Sequence, residues 1–244
     1  GALAYTIEFL MAWMGGRTRW RSMPWMVTFF FIVVVPLGLT HIILVILQPV
    51  AVGAWCTLCL AAALLMLIMI PFTVDEVIAT GQFLGAARRD GKSLWRTFWV
   101  GGTLQGGSDD KRTPHYGAPM TQMVAPIAWG VTAPWTLIVS ALVGVWVMSA
   151  PALFGSGVAA AQSDQVAGAL VVTVAVIATA EVIRAFRFLN VLFGAWIVAS
   201  GWILSGATVA TQWNGIVAGL LIVALALPRG EIRERYGAWQ SWIV

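Results

Sequence analysis

Residues 27–47 read VTFFFIVVVPLGLTHIILVIL, a run without one charged side chain. At 1.5 Å of helical rise per residue it covers about 32 Å, enough to cross a hydrocarbon core of ~30 Å. The run does not alternate between apolar and polar positions, so it does not read as a strand of a membrane β-barrel. Pro36 lies inside it and predicts a kink, because proline removes one backbone bond of the helix. Outward from this run, charges, prolines and glycines bound further apolar stretches at 1–14 (partial), 54–71, 134–154, 166–184, 189–208 and 214–228, with the quoted run itself extending over 26–47. The expected fold is an all-α polytopic membrane protein with about seven transmembrane segments.

Composition supports this reading. Of 244 residues, 60% are hydrophobic and 10% charged, against ~45–50% and ~25% in a soluble globular domain. A disordered chain and a disulfide-stapled secreted domain are excluded on the same grounds. The net charge of +4 does not point to nucleic acid, because basic residues of a membrane protein first report orientation. Arg17, Arg19 and Arg21 follow the first run; Arg88, Arg89, Lys92, Arg96, Lys111 and Arg112 follow the third; Arg184 and Arg187 the fifth; Arg229, Arg233 and Arg235 the seventh. Alternating the spans places all 14 basic residues on one side. The positive-inside rule then makes that side cytoplasmic, together with the C-terminus, and puts 48–54, 155–165 and 209–213 outside.

The polar stretch 72–132 divides the chain. Within it, 75–89 reads as an amphipathic helix, and Trp95, Phe98 and Trp99 flank Arg96; both are expected in the cytoplasmic interface. GGTLQGGSDDKRTPHY at 101–116 reads as a linker. Beyond it the sequence repeats. Leu142-Val-Gly144-Val-Trp146 matches Leu192-Phe-Gly194-Ala-Trp196, Val166-Ala-Gly168 matches Val217-Ala-Gly219, and Glu181 matches Glu231, about fifty residues apart. Two tandem helical hairpins in one orientation follow, unlike the inverted repeats of many transporters. Glu181 and Glu231 are assigned structural roles, with Arg184 on the same helix face as Glu181. Arg233, two residues from Glu231, does not share its face on a helix. Gly215 and Gly219 permit a close helix approach. The tryptophans near run ends, among them Trp20, Trp25, Trp55, Trp99, Trp135, Trp213 and Trp239, read as interfacial anchors.

The two cysteines stand in Trp55-Cys56-Thr57-Leu58-Cys59-Leu60. Gln48-Pro49 ends the preceding helix and Gly53 marks the turn, so the pair falls in the first turns of the next helix, on one face. A helix N-terminus favours the thiolate and makes Cys56 the expected nucleophile of a pair that closes to a disulfide and reopens. The topology puts the pair on the outer side, where disulfides persist. Metal binding is disfavoured, because a structural zinc site takes four ligands and His41 and His115 lie elsewhere. The alternative is a pair of inert thiols filling a helix interface.

Arg17-Thr-Arg-Trp-Arg-Ser-Met-Pro-Trp25, Val35-Pro-Leu-Gly38, Leu44-Val-Ile-Leu-Gln-Pro49, the cysteine motif and Asp75-Glu-Val77 together resemble the bacterial vitamin K epoxide reductase family. The second half, with Ala133-Pro-Trp135, Gly144-Val-Trp146 and Gly194-Ala-Trp196, resembles the SPW repeat. The resemblance implies residues 1–100 as a reductase-like bundle with its interfacial helix, 101–121 as a cytoplasmic linker and 122–244 as the repeat domain. It further implies a four-helix bundle around a quinone, menaquinone and ubiquinone not being distinguished. Cys59 would face the quinone, and Cys56 would exchange with a thiol-disulfide partner protein at the outer face of a bacterial inner membrane. Family members usually carry another cysteine pair and one more helix before the segment that starts at Gly1, so a longer natural N-terminus is expected.

Trp55, Leu60 and His41 are the expected quinone-binding residues, and Glu8, an acid within an apolar run, the expected proton relay. For His41 and Glu8 the alternative is a polar contact between helices. The function expected is dithiol oxidation at the outer face coupled to quinone reduction. The alternative is a non-catalytic subunit that assembles or stabilises a larger membrane complex.

Overall fold

A computed structural model describes residues 2–14, 18–102 and 130–233. Its elements are α1 (Ala2–Trp13), α2 (Arg19–Ser22), α3 (Pro24–Leu47), a π-helical turn (Gln48–Val52), α4 (Thr57–Arg89), α5 (Leu94–Val100), α6 (Trp135–Phe154), α7 (Val158–Ile177), a 3-10 segment (Glu181–Phe188), α8 (Leu189–Ile203) and α9 (Val209–Ala226). Six helices among the described residues are long and apolar enough to cross a membrane. The chain is therefore an all-α, multi-pass membrane protein. The first apolar run forms α1, whose 12 residues cover about 18 Å. Most of the expected linker 101–121, and with it Lys111, Arg112 and His115, lies outside the described residues, as do Arg17, Arg235 and Trp239.

The boundaries differ from expectation in instructive places. The third span and the amphipathic stretch 75–89 form one helix, α4, of 33 residues with Pro71 inside it; at about 50 Å it is longer than a hydrocarbon core. The fifth span occupies Val158–Ile177 rather than 166–184. Gln162, Ser163 and Asp164 give 155–165 the look of a loop, yet Ser163 accepts the Trp196 indole N–H at 3.0 Å, so its hydroxyl is satisfied inside the bundle. At the other end Glu181, Arg184 and Arg187 are buried in the 3-10 segment. There Arg184 Nη2 donates to the Thr132 backbone and hydroxyl oxygens and to Thr179 O, while Glu181 Oε1 accepts the Arg233 N–H at 3.0 Å. Residues 209–213 begin α9 instead of forming a loop, with the Thr208 hydroxyl accepting the Thr211 N–H at the cap. Glu231 and Arg233 form an exposed ion pair at 3.1 Å in an extended segment, which frees them from the helix-spacing constraint.

Two compact units divide the chain, 1–37 with 72–131 and 38–71 with 132–244. In the first, Arg19 makes a two-pronged ion pair with Glu76 and lies over the Phe30 ring at 5.3 Å. Trp25 stacks on Trp99, which also meets Phe29, Trp95 and Phe98.

The second unit holds the repeat. Here α6 packs against α7 and α9, and α8 against α9 and α7. The buried core is Val147, Ala167, Val171, Ile197, Ala218 and Ile222, with Val143 and Phe193 beside it. Every member has its counterpart in the other hairpin: Val143 with Phe193, Val147 with Ile197, Ala167 with Ala218, Val171 with Ile222. Polar contacts obey the same exchange, because Trp146 donates to Asn214 at 2.8 Å as Trp196 does to Ser163. Such reciprocity relates the hairpins by an approximate two-fold axis. Each hairpin closes on a glycine pair: a Cβ on Gly168 would stand 2.6 Å from Gly144 O, and one on Gly219 2.5 Å from Gly194 O. The two turns touch at Gly157 N–H to Gly206 O, 2.7 Å.

Replacing Gly219 with valine should lower the thermal midpoint of the detergent-solubilised protein by roughly 2–10 °C, the range expected of overpacking. Gly85→Ala, where an added Cβ meets nothing within 4 Å, should leave it unchanged or raise it. Equal midpoints for Gly219→Val and wild type would remove the glycine contact from the account.

Candidate functional site

The cysteine pair is built by the way α3 ends. Pro49 has no N–H to continue the α-helical ladder, and Gln48–Val52 widens into a π-helical turn. Gly53 then takes the left-handed conformation, φ 70°, which glycine adopts without a Cβ clash. The chain turns and α4 begins at Thr57, leaving Cys56 as its cap.

Cys56 fills that position with a sulfur where a serine or threonine ordinarily supplies a hydroxyl oxygen. Its carbonyl accepts the Leu60 N–H at 3.0 Å, and its Sγ accepts the Cys59 N–H at 3.3 Å. Its own N–H donates to Gln48 Oε1 at 2.7 Å, so a side chain before the turn holds the residue after it. Both cysteines are free thiols and exposed. The Cys59 thiol donating to the Cys56 sulfur, followed by the Cys59 and Leu58 backbone N–H groups, holds the Cys56 pKa below the usual thiol value; desolvation opposes this. The two thiols thus stand one helical turn apart, with the Cys56 sulfur as the acceptor of the Cys59 N–H.

The other expected residues are placed unequally around this turn. Trp55 precedes the pair and is 45% exposed, while Leu58 is more exposed still. Leu60 is half-buried. His41 is buried in α3, seven residues before Gln48, which places both on one side of that helix about 10 Å apart along its axis. Glu8 is buried in α1, in the other compact unit.

Gln48 is the residue that sequence reasoning missed, having used it only to end a helix. It is 8% exposed; its Oε1 is taken by Cys56, and its Nε2 has no hydrogen-bond partner among the described residues. A buried amide donor left unsatisfied costs free energy until an acceptor reaches it. The other amide atom of Gln48 is bonded to the backbone of Cys56, so this donor belongs to the same turn as the cysteine pair. The sequence signal was a glutamine at the end of an apolar run, directly before a proline and eight residues before a cysteine.

Residues 1–74 match the family model described as Vitamin K epoxide reductase family, and residues 134–229 match the SPW repeat domain. The chain is thus similar to the vitamin K epoxide reductase family over its first part and to the SPW repeat domain over its second. The cysteine turn falls inside the reductase region and the two-fold hairpins inside the repeat. No curated protein and no solved structure matches the chain.

Alkylation of the thiols should begin at Cys56, with a rate that rises with pH and levels off below the range of an unperturbed thiol, ~8.5. Gln48→Leu removes the acceptor of the Cys56 N–H and should move that levelling point upward. Mass-resolved iodoacetamide labelling across pH 5–10 reads both effects, and preferential labelling of Cys59 would contradict them.

Proposed function

We propose that this protein is a membrane thiol-disulfide oxidoreductase that oxidises dithiols of a partner protein and passes the electrons to a quinone. The observation that carries the reading is the capped Cys56, whose sulfur accepts the Cys59 N–H at 3.3 Å, inside a region that matches the vitamin K epoxide reductase family. The positive-inside pattern supports an outer-face location for the pair and a cytoplasmic C-terminus, in a bacterial inner membrane. The division proposed is 1–100 for the redox bundle, 101–121 for the linker and 122–244 for the repeat.

The chemistry starts with the pair as a disulfide. A partner thiolate attacks Cys56 Sγ; a bond forms between the partner sulfur and Cys56, and the Cys56–Cys59 bond breaks, releasing Cys59 as thiolate. The second partner thiol, losing its proton, attacks the partner sulfur of this mixed disulfide and releases Cys56. A low-pKa thiol is the better leaving group, so the stabilisation of Cys56 drives this second exchange. The partner leaves with one disulfide, and the pair keeps two electrons as a dithiol. A bound quinone would supply the oxidant, accepting two electrons and two protons as the Cys56–Cys59 disulfide reforms. Gln48 Nε2 would hold a carbonyl oxygen beside the pair, Trp55 and Leu60 the ring, and His41 and Glu8 are proposed for proton movement. Whether menaquinone or ubiquinone serves is a matter for the assay.

Membranes containing the wild-type protein should couple oxidation of a dithiol substrate to reduction of an added quinone. Cys56→Ser and Cys59→Ser should each reduce this at least a hundredfold, since neither can form the internal disulfide. Undiminished coupling in the double serine variant would exclude the reading. Unreactive thiols together with a stoichiometric co-purifying membrane subunit would favour the assembly role instead.

A further inference from the structure

We infer that the SPW repeat domain clamps the cysteine turn, with Gln162 of its first hairpin as the positioning residue. This goes beyond the reaction proposed above and does not require it, because the clamp is a property of the turn whatever oxidises it.

Three observations converge on Gln162. First, the segment 38–71, which carries the turn, forms one compact unit with 132–244 rather than with the rest of the reductase region. Second, α7 contacts the π-helical turn, and within that contact Gln162 Nε2 donates to Val50 O at 3.4 Å. Third, the turn has little packing of its own. Residues 51–59 are exposed throughout, and nothing lies within 4 Å of a Cβ placed on Gly53. A segment with so few internal contacts opens locally unless something outside it holds it. Val50 lies two residues after Gln48, whose Oε1 fixes the Cys56 N–H. The path is continuous: α7, Gln162, the Val50 carbonyl, the π-helical turn, Gln48, and the cap that presents Cys56 Sγ.

The internal repeat adds an argument of its own. Ser163 and Asn214 are counterparts, and both satisfy a tryptophan of the opposite hairpin, so the bundle itself explains them. Gln162 has Trp213 as counterpart, a 64% exposed indole in place of an amide. The two-fold pattern departs from itself where the first hairpin meets the cysteine turn. Packing of the repeat does not require a glutamine there; the turn does.

The test is the alkylation rate of Cys56 in the solubilised full chain, read with its pH midpoint; in the segment 48–60 the titratable groups are Cys56 and Cys59 alone, and α7, packed against the turn, carries Asp164 as its titratable group. Gln162→Leu and the more flexible Gln162→Met both remove the donor without adding charge. Each should slow labelling at pH 7 by about three- to tenfold and raise the midpoint toward an ordinary thiol. Gln212→Leu, which breaks a bond to Gly201 O within the second hairpin, should leave both unchanged. In a Gln48→Leu background, Gln162→Met should add nothing, because the path already ends at Gln48. Wild-type labelling in both Gln162 variants, or effects of Gln48 and Gln162 that multiply independently, would overturn the clamp. Both outcomes are separate from the quinone assay, which fails or succeeds on its own.

Discussion

Within a bilayer no water is available to satisfy a polar group, so each backbone amide and polar side chain must find its partner in the protein. That constraint accounts for the helices and also for the details that set this chain apart. The hairpins of the repeat come close enough at Gly144–Gly168 and Gly194–Gly219 for backbone to meet backbone. The indoles of Trp146 and Trp196 reach across to Asn214 and Ser163. At one end of the bundle, Arg184 and Glu181 are buried yet bonded to Thr132, Thr179 and Arg233. The constraint is unmet at several buried atoms among the described residues, Ser140 Oγ and Asn190 Oδ1 among them, and one of these, Gln48 Nε2, belongs to the side chain that holds the Cys56 N–H.

Much of the architecture was legible because apolar runs and their bounding charges are strong signals. Val27–Leu47 could only be a span, and the glycines at 144, 168, 194 and 219 announced the repeat before their contacts were known. The errors arose where a polar residue is satisfied by a distant one. Gln162, Ser163 and Asp164 imitate a loop in sequence and lie in α7 because the opposite hairpin and the cysteine turn supply partners to the first two. The same limitation hid Gln48: local sequence shows a glutamine before a proline, while its role depends on a π-helical turn bringing Cys56 back to it. The position of the cysteines at a helix start, and with it the expectation of Cys56 as nucleophile, was readable from Pro49 and Gly53; the bonds of Cys56 with the Cys59 N–H and Gln48 Oε1 were not.

The two family regions are not two independent bodies in this chain. The stretch carrying the cysteines groups with the repeat, and α3 and α4 each run from one compact unit into the other. A domain whose sequence carries no evident chemistry thereby acquires a physical relation to the residues that do. Cys56 depends on three layers: its own helix, through the Cys59 N–H; the preceding turn, through Gln48; and α7, through Val50. Each layer is a hydrogen bond, and residues 51–59, which the three bonds hold, are exposed throughout.

If Cys56 and Cys59 work as a redox pair, their oxidation state in intact membranes must follow the quinone pool. Acid-quenched samples, taken with the quinone pool held oxidised and then held reduced, would be labelled with a mass-tagged maleimide. The account predicts a disulfide under the first condition and a dithiol under the second, interconverting when the pool is switched. Two thiols that stay reduced under both would contradict it.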